Sequence, residues 1–481
     1  MVWRNITLAF LLIFVATSLV VTLPNPVVAQ DDGDGDGDGN GDGNGDGSTI
    51  GVGSTSGVSI DAEGVLRRQA FTDPTGELRR QRQAQARAQL DRDLTASSKL
   101  RKISLNRLEA ALAQRLANQQ GPTDVMRHLA GLLRLQYVFF YPETGDIVLA
   151  GPAEGWFDDW SGRVLGIRSG RPVLELQDLI VALRAYPPSG EKAGQVSCSI
   201  DPTPEGLVRC QQFLRQFRGH ITPATDTAAI VAGMRRSLGM QEITITGISP
   251  NTHFAEIMVE ADYRMKLIGI GLEIPPVSLR SYVALANPAT VSRKALLRWY
   301  FVPDYQCVCL SDDEMAMELV GDGVKLIGAD EVVGQDGRRN TADRASRASQ
   351  AFVTGFTRKY PKLAAQSPVY AQLRNLIDLL VAAAFIQEQD YYGQSGWAMD
   401  TFASEAAYAV ETGHAPKRVA TAVNGLWKGN TLMLPIGGGV TIQAEEALIG
   451  DNLLVDEKGL VDEARQKIDI KSLPKDQWWW D

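Results

Sequence analysis

Any chemistry in this 481-residue chain would have to come from its four histidines, its four cysteines or its clustered acids. His128, His220, His253 and His414 are widely separated, and none belongs to an H-E-x-x-H or other compact ligand pattern, so no metal site is expected. Gly393-Gln394-Ser395-Gly396-Trp397 comes nearest to a nucleophile elbow and fails at its last position. No Gly-x-x-x-x-Gly-Lys-Ser/Thr loop occurs. Gly269-Ile270-Gly271 and Gly321-Asp322-Gly323 lack the third glycine of a dinucleotide fingerprint, so no cofactor is expected either. Adjacent acids stand at Asp158-Asp159 and at Asp312-Asp313-Glu314. On a strand such neighbours point to opposite faces, and in a turn they face water. Acid/base hydrolysis would need two of them about 5–9.5 Å apart across a cleft.

The cysteines depend on the compartment, which the N-terminus indicates. Arg4 precedes an apolar run over residues 6–21, followed by Pro24 and Pro26, and Val27 and Ala29 supply a small-residue cleavage pattern. The run of 16 residues is shorter than the roughly 20 that cross a bilayer. Residues 1–29 therefore read as a cleaved secretory signal peptide rather than an anchor. In an oxidising compartment Cys198 and Cys210, 12 positions apart, become the disulfide candidate. Such a bridge would contribute about 2–4 kcal/mol. Cys307 and Cys309 are expected on one face of a strand, where Cα atoms lie roughly 6.5–7 Å apart, too far for easy bridging. They read as reduced core residues. No second spanning segment follows, since the apolar stretch at residues 379–386 fits a buried core helix.

Charge is segregated along the chain. Residues 31–47 alternate Asp or Asn with Gly and carry seven Asp, so residues 30–61 are expected to form a self-repelling disordered tether. Asp32, Asp34, Asp36 and Gly37 match the start of a calcium loop, but its twelfth position is Gly43 instead of Glu, so no specific calcium site is assigned. Residues 63–120 then hold 12 basic against 6 acidic side chains. Arg67, Arg68, Arg79, Arg80, Arg82, Arg87, Arg101 and Lys102 are the candidates for contact with an anionic partner, an envelope polymer or a protein. The competing reading is a solvated helix face that balances an acidic body. Nucleic acid is not the expected partner, because the chain reads as exported and carries no recognised nucleic-acid-binding motif. The closing Trp478-Trp479-Trp480-Asp481 fits packing on the protein's own surface.

The elements that must position these residues read as α+β. Residues 62–134 form a basic helical region, with Ser104 capping a helix whose Leu105, Leu108, Leu112 and Leu116 share a face. A first α+β unit spans residues 135–190, with hairpins at 135–150 and 163–174 and a helix at 176–186. A second spans 191–287: a strand at 197–200, helices at 203–217 and 226–238, a strand at 242–246, then helical spacing from Phe254 to Met265. A third spans 288–450, with an antiparallel meander of strands at 297–302, 306–310, 316–320 and 324–328. Helices at 342–360 and 369–389 and a hairpin at 431–443 complete it, and residues 451–481 form a tail.

Several segments are similar to a known family: residues 136–156 (QYVFFYPETGDIVLAGPAEGW), 197–206 (SCSIDPTPEG), 260–273 (EADYRMKLIGIGLE), 298–328 and 427–440 (WKGNTLMLPIGGGV). Over residues 64–448 or thereabouts the chain resembles Domain of Unknown Function 1598, a family of exported bacterial proteins typical of planctomycetes. The resemblance implies an exported envelope protein with an α+β body, and no catalytic residue. The expected function is a non-catalytic binding or scaffolding protein of the cell envelope. The alternative is an envelope hydrolase using carboxylates on loops around Asp158, Asp262 or Asp312. Oligomeric state is left open.

Overall fold

The computed structural model describes residues 18–19, 21–24, 54–73, 75–216, 227–287, 295–333, 339–341, 346–428, 431–434, 439–467 and 470–481. The segment read as a signal peptide and the Asp/Gly repeat lie outside these, apart from two short strands. Ser18–Leu19 pairs with Ala295–Pro303, and Val21–Pro24 pairs with Thr431–Leu434. The end of the segment read as tether is ordered: Ser54–Ile60 is a strand, because Val58 and Ile60 pack against the core.

The fold is α+β. A ten-stranded mixed sheet runs in the order Arg339–Thr341, Val324–Val333, Ala295–Pro303, Gly439–Ile442, Val196–Pro202, Met240–Thr246, Arg418–Ala420, Val65–Thr72 and Ser54–Ile60, with Ser18–Leu19 off this path. A seven-stranded sheet runs Leu454–Val455, Val308–Leu310, Ala316–Leu319, Tyr137–Tyr141, Asp146–Ala153, Ser98–Ser104 and Trp479–Trp480. Each sheet takes strands from segments far apart in the chain, so the turns that punctuate the sequence do not separate the sheets.

One helix carries the centre. Pro368–Glu388 opens with Pro at its first turn and is buried continuously from Val369 to Ile386. It is long and apolar enough to cross a bilayer, yet here the protein's own helices Leu176–Ala185, His253–Gly269 and Arg347–Gln366 cover it. His253–Gly269 lies on the strands Val196–Pro202 and Gly439–Ile442, and Arg347–Gln366 lies on Val324–Val333. Phe140 of the second sheet stacks on Tyr391 at 4.5 Å, which extends the same core to that sheet. Gly269 permits the helix to approach closely, since a Cβ there would lie 2.2 Å from the Trp299 ring.

Pairing departs from the sequence reading in three places. The expected meander is split: Ala295–Pro303 pairs with Val324–Val333 in the large sheet, whereas Val308–Leu310 and Ala316–Leu319 form a hairpin in the other. Thr431–Leu434 and Gly439–Ile442 do not pair with each other but enter different sheets. Val164–Gly166 takes Trp156–Asp158 as its partner, and only a single bridge, Leu165 to Pro172, remains of the hairpin expected at residues 163–174. Local β propensity is satisfied by any partner strand, so burial decides the pairing. The basic region is also not helical throughout. Helices Glu77–Gln89 and Leu105–Ala117, the latter capped by Ser104, alternate with strands Val65–Thr72 and Ser98–Ser104.

Candidate functional site

The helix His253–Gly269 combines burial with charge to an unusual degree. The Thr252 hydroxyl caps it by accepting from the Ala255 N–H at 3.3 Å. Glu256, Glu260 and Arg264 follow at four-residue spacing, so they share one face, and Asp262 and Lys266 share another. Glu260 is 1 % exposed. One of its oxygens accepts from Arg163 and the other lies 3.4 Å from Arg264 Nη1. Arg264 donates from Nε and Nη2 to Glu273 Oε1 at 2.9 and 2.8 Å. Arg163 donates to Gln372 of the central helix at 2.9 Å. Arg68, on the strand Val65–Thr72, approaches the second Glu273 oxygen to 3.9 Å. Burial alone would lower the Arg264 pKa, but Glu273 and Glu260 reverse this and raise it. The result is a buried charge junction that fastens one strand, two loops and two helices. Its geometry holds elements together, each charged group being engaged by a neighbour.

On the other face Lys266 Nζ lies 2.9 Å from Asp262 and donates to the Ile200 carbonyl at 3.1 Å. Burial pushes the Asp262 carboxyl up to about 7, against the pull of Lys266. Asp262 stands on a buried helix and not on a loop, which corrects its place among the hydrolase candidates. Asp159 accepts from the Ser161 and Arg163 N–H groups within its own turn. Asp313 accepts from Ser311 and the Met315 N–H and pairs with Arg465.

His253, at the first turn of the helix, is flanked by two acids. Its Nδ1 is 3.1 and 3.0 Å from the Asp178 oxygens, and its Nε2 is 3.8 Å from Glu175. Burial alone would lower its pKa, but Asp178 and Glu175 outweigh this and raise it to about 10. An imidazolium at neutral pH binds its carboxylates and is unsuited to act as a base. A cleft of 440 Å³ opens beside it, lined among others by Arg184, Ser249, Thr252 and Glu411. Among the described residues, no group of three or more His, Cys, Asp or Glu is placed to hold a metal ion.

The cysteines are free thiols, all buried, and the Cys198–Cys210 bridge is not formed. Cys198 belongs to the main core and faces Asp262 and Lys266, while Cys210 lies on the buried face of the helix Pro204–Arg215. Burial pushes the Cys210 thiol up to about 12. Cys307 and Cys309 do not share a face. Cys307 precedes its strand and joins the main core, whereas Cys309 packs in a second cluster with Phe139 and Tyr141.

The basic candidates divide into fixed and open groups. Arg68 serves the buried junction. Arg101 is 0 % exposed and pairs with Asp481. Lys102, beside it on the same strand, has its pKa lowered by burial, partly offset by Asp481. Arg67 pairs with Asp61 on the surface, and Arg82 donates to the Asp158 and Asp159 carbonyls at 3.0 Å. Arg79, Arg80 and Arg87 stay on the exposed helix Glu77–Gln89, which buries no residue and rests on the strand Trp156–Asp158. Arg87 lines a cleft of 510 Å³ with Thr95, Ile167 and Arg168. Arg79 crosses the adjoining loop, where a Cβ on Gly170 would lie 2.4 Å from its guanidinium. No described residue forms an ion pair with Arg87 or Arg168.

Sequence reasoning did not find the Glu260 junction, the His253 acids or the Arg101–Asp481 pair. The four-residue spacing of Glu256, Glu260 and Arg264 was an available signal for the first. The other two join residues far apart in the chain and left no local signature. No curated protein and no solved structure matches the chain. The span from Cys198 to Tyr282, which holds the whole charged helix and Glu273 as well as the 260–273 motif, matches a family model described as a protein of unknown function (DUF1598).

Proposed function

We propose that this is an exported, non-catalytic protein of the cell envelope that holds an anionic polymer in the cleft between Arg87 and Arg168. The observation that carries the reading is that Arg87 and Arg168 line a 510 Å³ cleft and neither guanidinium forms an ion pair with a described residue, the Glu154 carboxylate being taken up by the Arg168 and Ser169 N–H groups. Two like charges that form no ion pair create a positive potential that a bound anion relieves. Planar guanidinium forks suit carboxylate, sulfate or phosphate groups. Arg79 adds to this potential, and Glu77 is the single acid on the helix that supplies Arg79 and Arg87. Export is supported by Arg4, the apolar run and the small-residue pattern ending at Ala29. A non-catalytic role is supported by Asp262, which is buried against Lys266, and by the engagement of Asp159 and Asp313 in their own turns, while Asp158 and Asp312 stay exposed.

Deleting residues 63–120 would not test this, because it removes the strands Val65–Thr72 and Ser98–Ser104 from both large sheets. The double variant Arg87→Glu/Arg168→Glu, both sites being exposed, is the fair probe. Co-sedimentation with polygalacturonate should weaken at least about tenfold relative to wild type, and wild-type binding should fall with added salt. Equal binding by the variant would sink the proposal.

A further inference from the structure

The outer edge of the strand Ser98–Ser104 is completed by Trp479–Trp480, antiparallel, with Trp479 opposite Ile103 and Trp480 opposite Lys102. The Ser104 N–H donates to the Trp478 carbonyl at 2.9 Å. Arg107 donates to the Pro474 carbonyl at 2.9 Å. Trp478 belongs to the main core, and Trp480 inserts beside Phe139 and Tyr141. At the end of the segment the Asp481 carboxylate receives a two-pronged contact from Arg101, Nε at 2.8 Å and Nη2 at 3.0 Å. The Trp479 ring lies 5.0 Å from the same guanidinium.

Arg101 is also held independently of the segment, by donating to carbonyls of the body: Ala130 at 2.7 Å and Asp93 at 2.9 Å. A register shift between Ser98 and Arg101 marks a bulge, a device that re-aims a side chain. The Asp481 side chain, by contrast, is 43 % exposed, so the ligand group stands at the mouth and the receptor group inside. A strand edge, two aromatic seats and a carboxylate fork are the parts from which extended-peptide sites are built.

We propose that this edge is a receptor for an extended aromatic–aromatic–acid segment, filled within one chain by residues 478–481 and exchanged between two copies of the chain through the same segment. The matching ligand is present in every copy, and the contacts made across copies are identical to those made within one. Exchange therefore costs little beyond the loss of local concentration, about millimolar for a tethered segment. Copies should trade segments at high protein concentration.

The test uses the full chain carrying Trp480→Ala and Asp481→Asn, which weakens its own segment while leaving Arg101 and the strand intact. A fluorescent peptide of residues 474–481 should bind this variant saturably, and the same peptide ending in Asn at least tenfold more weakly. No saturable binding, or equal affinity for the two peptides, overturns the receptor. Wild-type chains with two different tags, mixed while concentrated and then diluted, should yield doubly tagged species on capture. If none forms at any concentration, the segment is a staple within one chain and the exchange is overturned.

Discussion

Glu260 offers the sharpest quantitative prediction, because a 1 % exposed carboxylate is shared by arginines from two different elements. Glu260→Gln keeps the shape and removes the charge. It leaves Arg163, at 7 % side-chain exposure, and Arg264, at 9 %, without that counterion. A charge pair at about 4 Å is worth roughly 4 kcal/mol at an effective dielectric near 20. Removing one member of a buried pair costs about 3–5 kcal/mol. Glu273 still serves Arg264, and Gln372 still serves Arg163, so the cost should fall near the lower end, about 3 kcal/mol. Guanidinium chloride unfolding, followed by far-ultraviolet dichroism and by tryptophan fluorescence, measures it. A cycle with Arg163→Met should be non-additive by about 1 kcal/mol or more, because the second change removes a charge that the first left stranded. A Glu260→Gln chain within about 0.5 kcal/mol of wild type, or strict additivity with Arg163→Met, would refute the junction as described.

Two further outcomes follow from the buried groups. His253 titrates near 6.5 when unfolded and is raised to about 10 when folded, so the folded state holds a proton that the unfolded state has released between those values. Its contribution is complete below pH 6.5 and disappears as pH rises to about 10; the unfolding midpoint should fall over that window, and His253→Gln should flatten the slope. Parallel pH profiles for the two chains would contradict the assignment. For the cysteines, the native protein should resist a thiol reagent, and denatured protein, purified without reductant, should release four thiols; finding two would mean that a bridge forms after all.

Much of the local structure was legible in the sequence, for reasons visible at particular residues. Ser104 and the leucines that follow it specify a helix start and a buried stripe, and that helix forms as Leu105–Ala117. The central helix announces itself through an apolar run too long for a strand, and it forms as Pro368–Glu388. Strands such as Tyr137–Tyr141 and Ala295–Pro303 were readable too, from branched and aromatic residues between turn signals, whereas Val65–Thr72 and Ser98–Ser104, in a stretch read as helical, were not. The exposed arginines of Glu77–Gln89 were visible as a charged surface, though the cleft that Arg87 shares with Arg168 was not.

By itself, then, the sequence determined the α+β class, the position of most elements and the separation of acidic and basic segments, because each depends on side chains close in the chain. Partner choice was decided only in three dimensions. Whether Val308–Leu310 joins its sequence neighbours or a different sheet, whether Cys198 meets Cys210, and whether Arg101 serves a surface anion or Asp481 all depend on which groups are desolvated together. Burial makes an unpaired charge or an unfilled strand edge costly, and the tertiary structure alone determines which distant residue supplies the missing partner. The same cost explains why a basic segment that reads as one surface arm is divided, with Arg68 and Arg101 drawn into the body and Arg87 left facing an open cleft.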